Sequence, residues 1–377
     1  MGNRRRSRDC QTVQPMMMRS DATMQPVRVA VIGCGHIAQH MHLPILHALR
    51  SAQLVAVADT DTDDSRLVDA CRLAPEATGY GDYLPLLERA DVEAVFVCLP
   101  THLHAAAAQA AMAAGKHVYL EKPIAANLED ARTVIEASRL SKVTSIISFN
   151  YRFDPVYAAA RRRIADDEVG QLTGVRTIFT TAASEVTAWR QSRRLGGGVL
   201  LEIASHHIDL MRFLFGRPIE RVTADVRSQR SEDDTATLHL AGGLLVQSLL
   251  STCAVEADRV EIYGDGGLLN AERFPAGAVE MTGTSVRLIR VKRLLYAMRR
   301  AGQSPYLHRV LLGRHEFPSC PAAFSHFLDA VRGHCPATPT LDDGLESLAV
   351  VIAAERSART GRSMAVKDIP CESHDHQ

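Results

Sequence analysis

Val27 to Ala38 reads VRVAVIGCGHIA. Val27 to Ile32 is a short apolar run of the kind that a strand buried on both faces requires. It leads directly into Gly33-x-Gly35-x-x-Ala38. A helix-like stretch follows to about Leu49, and LVAVAD then gives a second strand ending in Asp59. Gly33 permits the tight turn, Gly35 admits an anion close to the backbone, and Ala38 keeps helix and strand in near contact. A pyrophosphate would sit at the start of the helix, where unpaired N–H groups and the dipole attract it. Asp59 follows Ala38 by 21 residues, a spacing that lets its carboxylate reach both ribose hydroxyls and repel a 2′-phosphate. The stretch therefore predicts a dinucleotide-binding βαβ unit with NAD preferred over NADP. A plain helix cap is the competing role for Asp59, and Asp61 can fill it instead.

The alternation continues along the chain. EAVFVCLP (93–100), KHVYLEKP (116–123) and TSIISFN (144–150) read as strands, and HAAAAQAAMAAG (104–115) and the segment capped by Asn127 read as helices. Repeated βα units with short connections predict an α/β fold with a doubly wound parallel sheet, whose ligands bind at the carboxyl ends of the strands. Pro100, Thr101, Glu121, Lys122 and Asn150 fall at such ends. The expected cofactor-binding set is Gly33, Gly35, His36, Ile37, Asp59, Pro100, Thr101, His104, Glu121 and Lys122. Lys122 would stand beside the nicotinamide, where a lysine can bond a substrate hydroxyl and help move its proton. On its tripeptide alone it fits a surface lysine at a turn equally well.

GGGVLLEIASHHIDL (196–210) places ionisable groups in an otherwise apolar segment. Read as a helix, Glu202 and His206 are i, i+4 and His206 and Asp209 are i, i+3, so the three share a side, while His207 is turned about 100° away. The preceding glycines would let the start of this helix approach a ligand closely. A satisfied core His–Glu pair is the structural alternative.

Composition limits the remaining classes. The chain has 377 residues, 46% hydrophobic and 23% charged, with a formal net charge of zero. That suits a globular two-domain protein and gives no general attraction to nucleic acid. No apolar run reaches the roughly 18 residues of a membrane span. The eight cysteines are scattered without CxxC, which points to reduced thiols and a cytoplasmic setting. No HExxH or CxxC pattern suggests a metal, and none is expected. Residues 1–25 carry five arginines, two acids and no apolar period. They are expected to be a disordered tail, with Met24 a candidate translation start, and 370–377 a second tail.

The expected domains are 26–149, which binds the dinucleotide, and 150–369, an α+β domain with a large, mostly antiparallel sheet. Its candidate strands include GVRTIFTT, RVTADVRSQ, DTATLHLAGG and LLVQSLLST, with a hairpin turning at Asp265-Gly266-Gly267. An apolar sheet face without a covering helix favours a homodimer or homotetramer. Val286 to Arg300 is strongly basic with apolar residues at helical spacing. A solvated amphipathic helix is its expected form, with contact to a phosphate-bearing substrate or a membrane surface as alternatives.

Taken together, GCGHIA, EKP, NYRFDPVY, the GGG…HHID segment and the closing PATPTLDDGLESLAVV resemble the Gfo/Idh/MocA family over roughly residues 27 to 367. The resemblance implies NAD(P)-dependent oxidoreduction of CH–OH groups on sugars, inositols or related polyols. It implies catalytic roles for Lys122, His206 and Glu202, with Glu202 standing where an aspartate is usual and Thr101 where an asparagine is common. Tyr151, Arg152, Trp189 and Arg190 join Lys122, Glu202 and His206 as expected substrate-binding residues. A cis Lys122–Pro123 bond is also implied. A glycosidase using held NAD for transient oxidation and a silent NAD- or sugar-sensing regulator are the rival readings.

Overall fold

The computed structural model describes residues 25–60, 65–182, 192–193, 196–274, 277–283 and 318–369. Residues 1–24 and 370–377 of the expected tails, Asp61, Trp189, Arg190 and the basic segment 286–300 lie outside the described residues.

The first sheet has six parallel strands: β1 (Val27–Ile32), β2 (Ala52–Ala58), β3 (Thr78–Tyr80), β4 (Ala94–Val97), β5 (His117–Leu120) and β6 (Ser145–Ile147), in the order β3-β2-β1-β4-β5-β6. Every residue of β4 is buried, as a strand covered by helices on both faces must be. The order reverses between β1 and β4, which opens a crevice at their carboxyl ends. Helices α1 (Leu43–Ala48), α2 (Arg66–Leu73), α3 (Tyr83–Leu87), α4 (His104–Ala113) and α5 (Leu128–Ser141) complete this half. α4 buries Ala105, Ala107, Ala108 and Ala111, small side chains that let it lie close to its neighbours. Asn127 caps α5 by accepting from the Asp130 N–H.

The second half contains α6 (Pro155–Ala165), α7 (Ser205–Phe215), α8 (Ser319–Val331) and α9 (Leu341–Thr360). Its sheet comprises β7 (Leu172–Thr180), β8 (Ile219–Arg227), β9 (Thr235–Gly242), β10 (Val246–Ser251), β11 (Ala257–Gly264), β12 (Gly267–Phe274), β13 (Ala278–Gly283) and β14 (Met364–Ala365). The order is β13-β12-β11-β7-β10-β9-β8-β14. All its pairs are antiparallel except β7 with β10. The hairpin between β11 and β12 turns at Asp265 and Gly266, as expected. Inward positions such as Leu238, Leu250, Ile262 and Leu269 are buried, while Leu249 and Tyr263 are exposed.

The halves are not separate bodies in packing terms. One apolar cluster joins Val97, Leu120 and Ile135 to Leu201, Ile208, Leu238 and Val351. α8, expected in the second domain, packs on the first sheet, where Phe324 and Phe327 meet Phe96 and Tyr119. A linear boundary at 149/150 therefore divides the chain but not the core. Continuous packing of this kind holds the two walls of the crevice in fixed relation.

Candidate active site

Gly33 has φ +93°, and a Cβ there would lie 2.7 Å from the Cys98 carbonyl oxygen. Only glycine suits both the dihedral and the approach of β1 to the β4 loop. A Cβ at Gly35 would meet nothing within 4 Å, so open space faces this turn. The Asp59 carboxylate accepts from the Cys34 N–H at 2.7 Å and pairs with Arg66 at 3.2 Å. The turn and its acid thus fit a dinucleotide. Arg66, on α2, adds a cation beside the acid that the sequence reading missed. His36 is exposed and stacks on His40 with centroids 4.0 Å apart. Ile37 is half-buried beside it.

Residues 121–123 follow β5. The Lys122–Pro123 peptide is cis. Glu121 does not face the crevice. Its Oε1 accepts from His42 Nε2 and Ser148 Oγ, each at 2.9 Å, and its Oε2 accepts from the Lys122 backbone N–H at 3.2 Å. Burial works to raise this carboxyl's pKa, but the His42 bond and the Lys122 charge outweigh it and hold it below the usual range. His42 in turn lies 3.2 Å from Cys98 Sγ. The sequence places His36, His40, His42 and His47 on the first helix as surface or domain-contact residues, but His42 is buried, because a π-helical stretch over Ala38–His42 turns it toward the sheet.

His104 is likewise buried rather than ligand-facing. Its ring nitrogens each lie 2.7 Å from a carbonyl oxygen, Nδ1 from Pro123 and Nε2 from Leu99. Burial lowers its pKa against the pull of those carbonyls, and a neutral ring donates to one of them at a time. It ties the loop carrying Lys122 to the loop carrying Pro100. Thr101 is buried beneath Gly196, where a Cβ would lie 2.4 Å from the Thr101 Cβ. Gly196 therefore lets the two halves meet closely, while Gly198, at the start of the helical segment, lines the cavity.

That motif begins with a π-helical stretch, Leu200–Ala204, continuing into α7. Such stretches often mark functional sites. Lys122 Nζ donates to the Glu202 carbonyl oxygen at 2.5 Å, so the lysine bridges the two halves. The His206 ring stacks on Tyr151, with centroids 4.5 Å apart and 10° between planes. Arg273 anchors Tyr151, donating to its hydroxyl at 2.8 Å and lying over its ring at 4.2 Å. Asp258 orients Arg273 at 2.5 Å and also accepts from the Tyr157 hydroxyl. Burial, then the charge of Lys122, then His207 and Arg273 push the His206 pKa well below the ordinary imidazole value. His206 Nδ1 is buried without a hydrogen-bond partner.

His207 points into the core, with neither ring nitrogen hydrogen-bonded and Nε2 3.9 Å from an Asp258 oxygen. Burial pushes its pKa down to about 4. Asp209 and Arg152 are not at the cavity. Arg152 donates to both Asp209 oxygens, at 2.9 and 2.5 Å, and pairs with Asp343 at 3.0 Å. Asp209 does not share the cavity with Glu202 and His206, because Arg152 draws its carboxylate into a buried pair.

Lys122, Tyr151, Glu202 and His206 are brought together on one cavity of about 250 Å³. Phe179, Thr181, Gly198, Val199, Ile203, Thr252 and the segment 231–234 complete its lining. Sequence reasoning missed the β8–β9 turn, because nothing in its local pattern says which loop folds over the crevice.

A reversing parallel sheet with a glycine turn, joined to a second sheet whose helix meets a strand-end lysine, defines a two-domain dinucleotide-binding oxidoreductase. Residues 27–149 match the family described as "Oxidoreductase family, NAD-binding Rossmann fold", and residues 157–270 match "GFO/IDH/MocA C-terminal domain". The chain belongs to the Gfo/Idh/MocA oxidoreductase family. It is 26% identical to the myo-inositol 2-dehydrogenase of Thermotoga maritima over 355 residues, covering 91% of this chain and 99% of that protein. It is 26% identical to the inositol 2-dehydrogenase of Rhizobium meliloti, covering 90% and 99%. Among solved structures, GenD2 from gentamicin A biosynthesis, in complex with NAD, aligns with a TM-score of 0.76 and 26% identity, covering 93% and 99%. Among the described residues no helix is long and apolar enough to cross a membrane.

Proposed function

We propose that this oxidoreductase interconverts a secondary alcohol and a ketone on a sugar, inositol or related polyol, using NAD. The observation that carries this reading is that Lys122 and His206 enter one cavity while the glycine turn and Asp59 lie at the ends of neighbouring strands. The bound nicotinamide supplies the hydride acceptor, or the donor in the reverse direction. The chain's own residues handle the proton and the charge. His206 is held neutral by burial and by Lys122, so it can accept the hydroxyl proton as the C–H bond breaks. Lys122 stabilises the negative charge that develops on oxygen. Tyr151 fixes the imidazole plane, and the Glu202 carbonyl fixes the ammonium. The Glu202 carboxylate contributes to substrate binding. Asp59 favours NAD through the ribose hydroxyls. Leu249 and Tyr263, exposed on the outer sheet face, support assembly into a homodimer or homotetramer.

The test is a screen of inositols, hexoses and amino sugars for NADH formation. The reading predicts one NADH per molecule of ketone produced. Catalytic cleavage of a glycosidic bond with no net NADH would favour the glycosidase rival, and binding without turnover of any compound would favour the sensor.

A further inference from the structure

An imidazole that moves a proton must be held in one plane, and the common device is a hydrogen bond at its second ring nitrogen. His206 lacks that device: among the described residues nothing bonds its buried Nδ1. Aromatic rings meet it instead. Tyr151 lies nearly parallel to it with centroids 4.5 Å apart, and Phe149 meets it edge-on at 6.2 Å. A parallel stack restrains the tilt of the imidazole, but only as well as the tyrosine is itself restrained.

Tyr151 sits in the short 3-10 turn Asn150–Phe153, and its restraint comes from the second sheet. Arg273 of β12 donates to the Tyr151 hydroxyl at 2.8 Å, with its guanidinium carbon 4.2 Å from the ring centre. Asp258 of β11 accepts from Arg273 Nε at 2.5 Å and from the Tyr157 hydroxyl of α6. β11 and β12 are hydrogen-bonded neighbours, with Asp258 opposite Phe274, so the ladder fixes both members of the pair. The side chains of Arg273 and Asp258 are 13% and 3% exposed. A buried pair is a poor source of stability, but a planar guanidinium fork can hold a carboxylate, a hydroxyl and a ring face together. Among the described residues neither Arg273 nor Asp258 lines the cavity.

We propose that Arg273 is a positioning residue for the reaction: held by Asp258, it fixes Tyr151 and through that ring sets the plane in which His206 takes the substrate proton. This rests on the dehydrogenase reading above and deepens it. The charge of Arg273 acts in the same direction. The groups around the imidazole are Lys122 from the β5 loop, Glu202 and His207 on its own segment, Tyr151, and Arg273 with Asp258 behind it. An imidazolium would gain from the face of a tyrosine, but Arg273 already lies over that ring and brings a like charge. Burial, then Lys122, His207 and Arg273, disfavour a proton on the resting ring.

The experiment uses the compound of the inositol, hexose and amino-sugar screen that gives NADH fastest. It measures single-turnover NAD reduction and the pH profile of kcat/KM. Arg273→Met should slow hydride transfer by about tenfold or more, with KM and NADH affinity within about twofold of the parent. The acid limb of its profile should move up by about half a pH unit or more, because a positive charge near the base is gone. Arg273→Lys keeps the charge without the fork, so its acid limb should stay in place while only part of the rate returns. Tyr151→Leu should slow the same step, and adding Arg273→Met to it should cost little more, since the arginine acts through the ring. NADH binding and a cooperative melt confirm folding. Should Arg273→Met not fold, Arg273→Met/Asp258→Asn strands no charge and reads the same step. An undiminished rate or an unmoved acid limb in Arg273→Met would overturn the proposal and leave the dehydrogenase standing. So would a loss that falls on KM or NADH affinity, or one that adds in full to that of Tyr151→Leu. An acid limb that survives in His206→Asn, or no NADH from any compound with NAD still bound, would remove both.

Discussion

Arg152→Met separates a structural tie from a substrate ligand. In the folded protein the Arg152 side chain is 14% exposed and Asp209 1%, and the two form a doubly bonded pair that Asp343 extends. Methionine keeps much of the volume but strands the Asp209 carboxylate. Removing one member of a buried pair costs about 3–5 kcal/mol. Arg212, 4.0 Å from Asp209, still offers partial compensation, which places the loss near ~3 kcal/mol. For a chain of this size that is a fall in Tm of about 4 °C. Burial already raises the Asp209 pKa despite Arg152, and losing the arginine raises it further. A carboxyl raised above its unfolded value loses stability as pH rises through that range, so the deficit should shrink in mild acid. Thermal unfolding from about pH 7 down to about pH 5 reads both effects. The Arg152→Met/Asp209→Leu double variant should recover more than half of the loss, since no charge is then stranded. KM of the folded single variant should stay within about twofold of the parent, because the side chain does not reach the cavity. An unchanged Tm with a sharply raised KM would show that Arg152 touches substrate, and the buried-tie argument would fail.

Two further outcomes follow from the site. His207 is buried with neither ring nitrogen hydrogen-bonded and Asp258 3.9 Å away, and burial pushes its pKa down to about 4. Its folded pKa is depressed, so the unfolded chain binds the proton first and stability falls as pH drops from about 6.5 toward 4, by about 3 kcal/mol for this residue. His104 and His206 act in the same direction. Urea titrations at several pH values should show a shallower decline in His207→Phe, and an identical decline would contradict the assignment. Asp59→Ala removes the ribose acceptor but leaves Arg66, so the NADP-to-NAD ratio of kcat/KM should rise by about tenfold or more. An unchanged ratio would show that Asp59 does not choose the cofactor.

Much of the fold was legible because its signals are local. The run from Val27 to Ala38 carries strand, turn and helix start in consecutive residues, and Asp59 closes the unit. The alternation in β7 to β12 identified the second sheet, but the parallel pairing of β7 with β10 is a long-range choice that no strand pattern records. Motif and helical spacing singled out Lys122, Glu202 and His206, which the fold gathers on one cavity. Arg152 was misplaced because a charged residue beside Tyr151 looks the same in sequence whether it meets a substrate or a buried carboxylate. His42 was misjudged because a π-helical stretch turns it toward the sheet, and Asp209 because helical spacing does not show that Arg152 claims its carboxylate. Arg273 and Asp258 gave no signal, since they reach Tyr151 from strands more than a hundred residues further along the chain. The acids at 232–234 became site residues only once the β8–β9 turn lay over the cavity.

The most direct test is single-turnover reduction of NAD in Lys122→Met, with NAD affinity measured in parallel by fluorescence or calorimetry. Lys122 meets the Glu202 carbonyl across the crevice and lines the cavity. It is asked to stabilise charge in the reaction rather than to hold the dinucleotide. The account predicts that hydride transfer slows by at least about a hundredfold while NAD affinity changes by less than about threefold. Undiminished hydride transfer in that variant would contradict it.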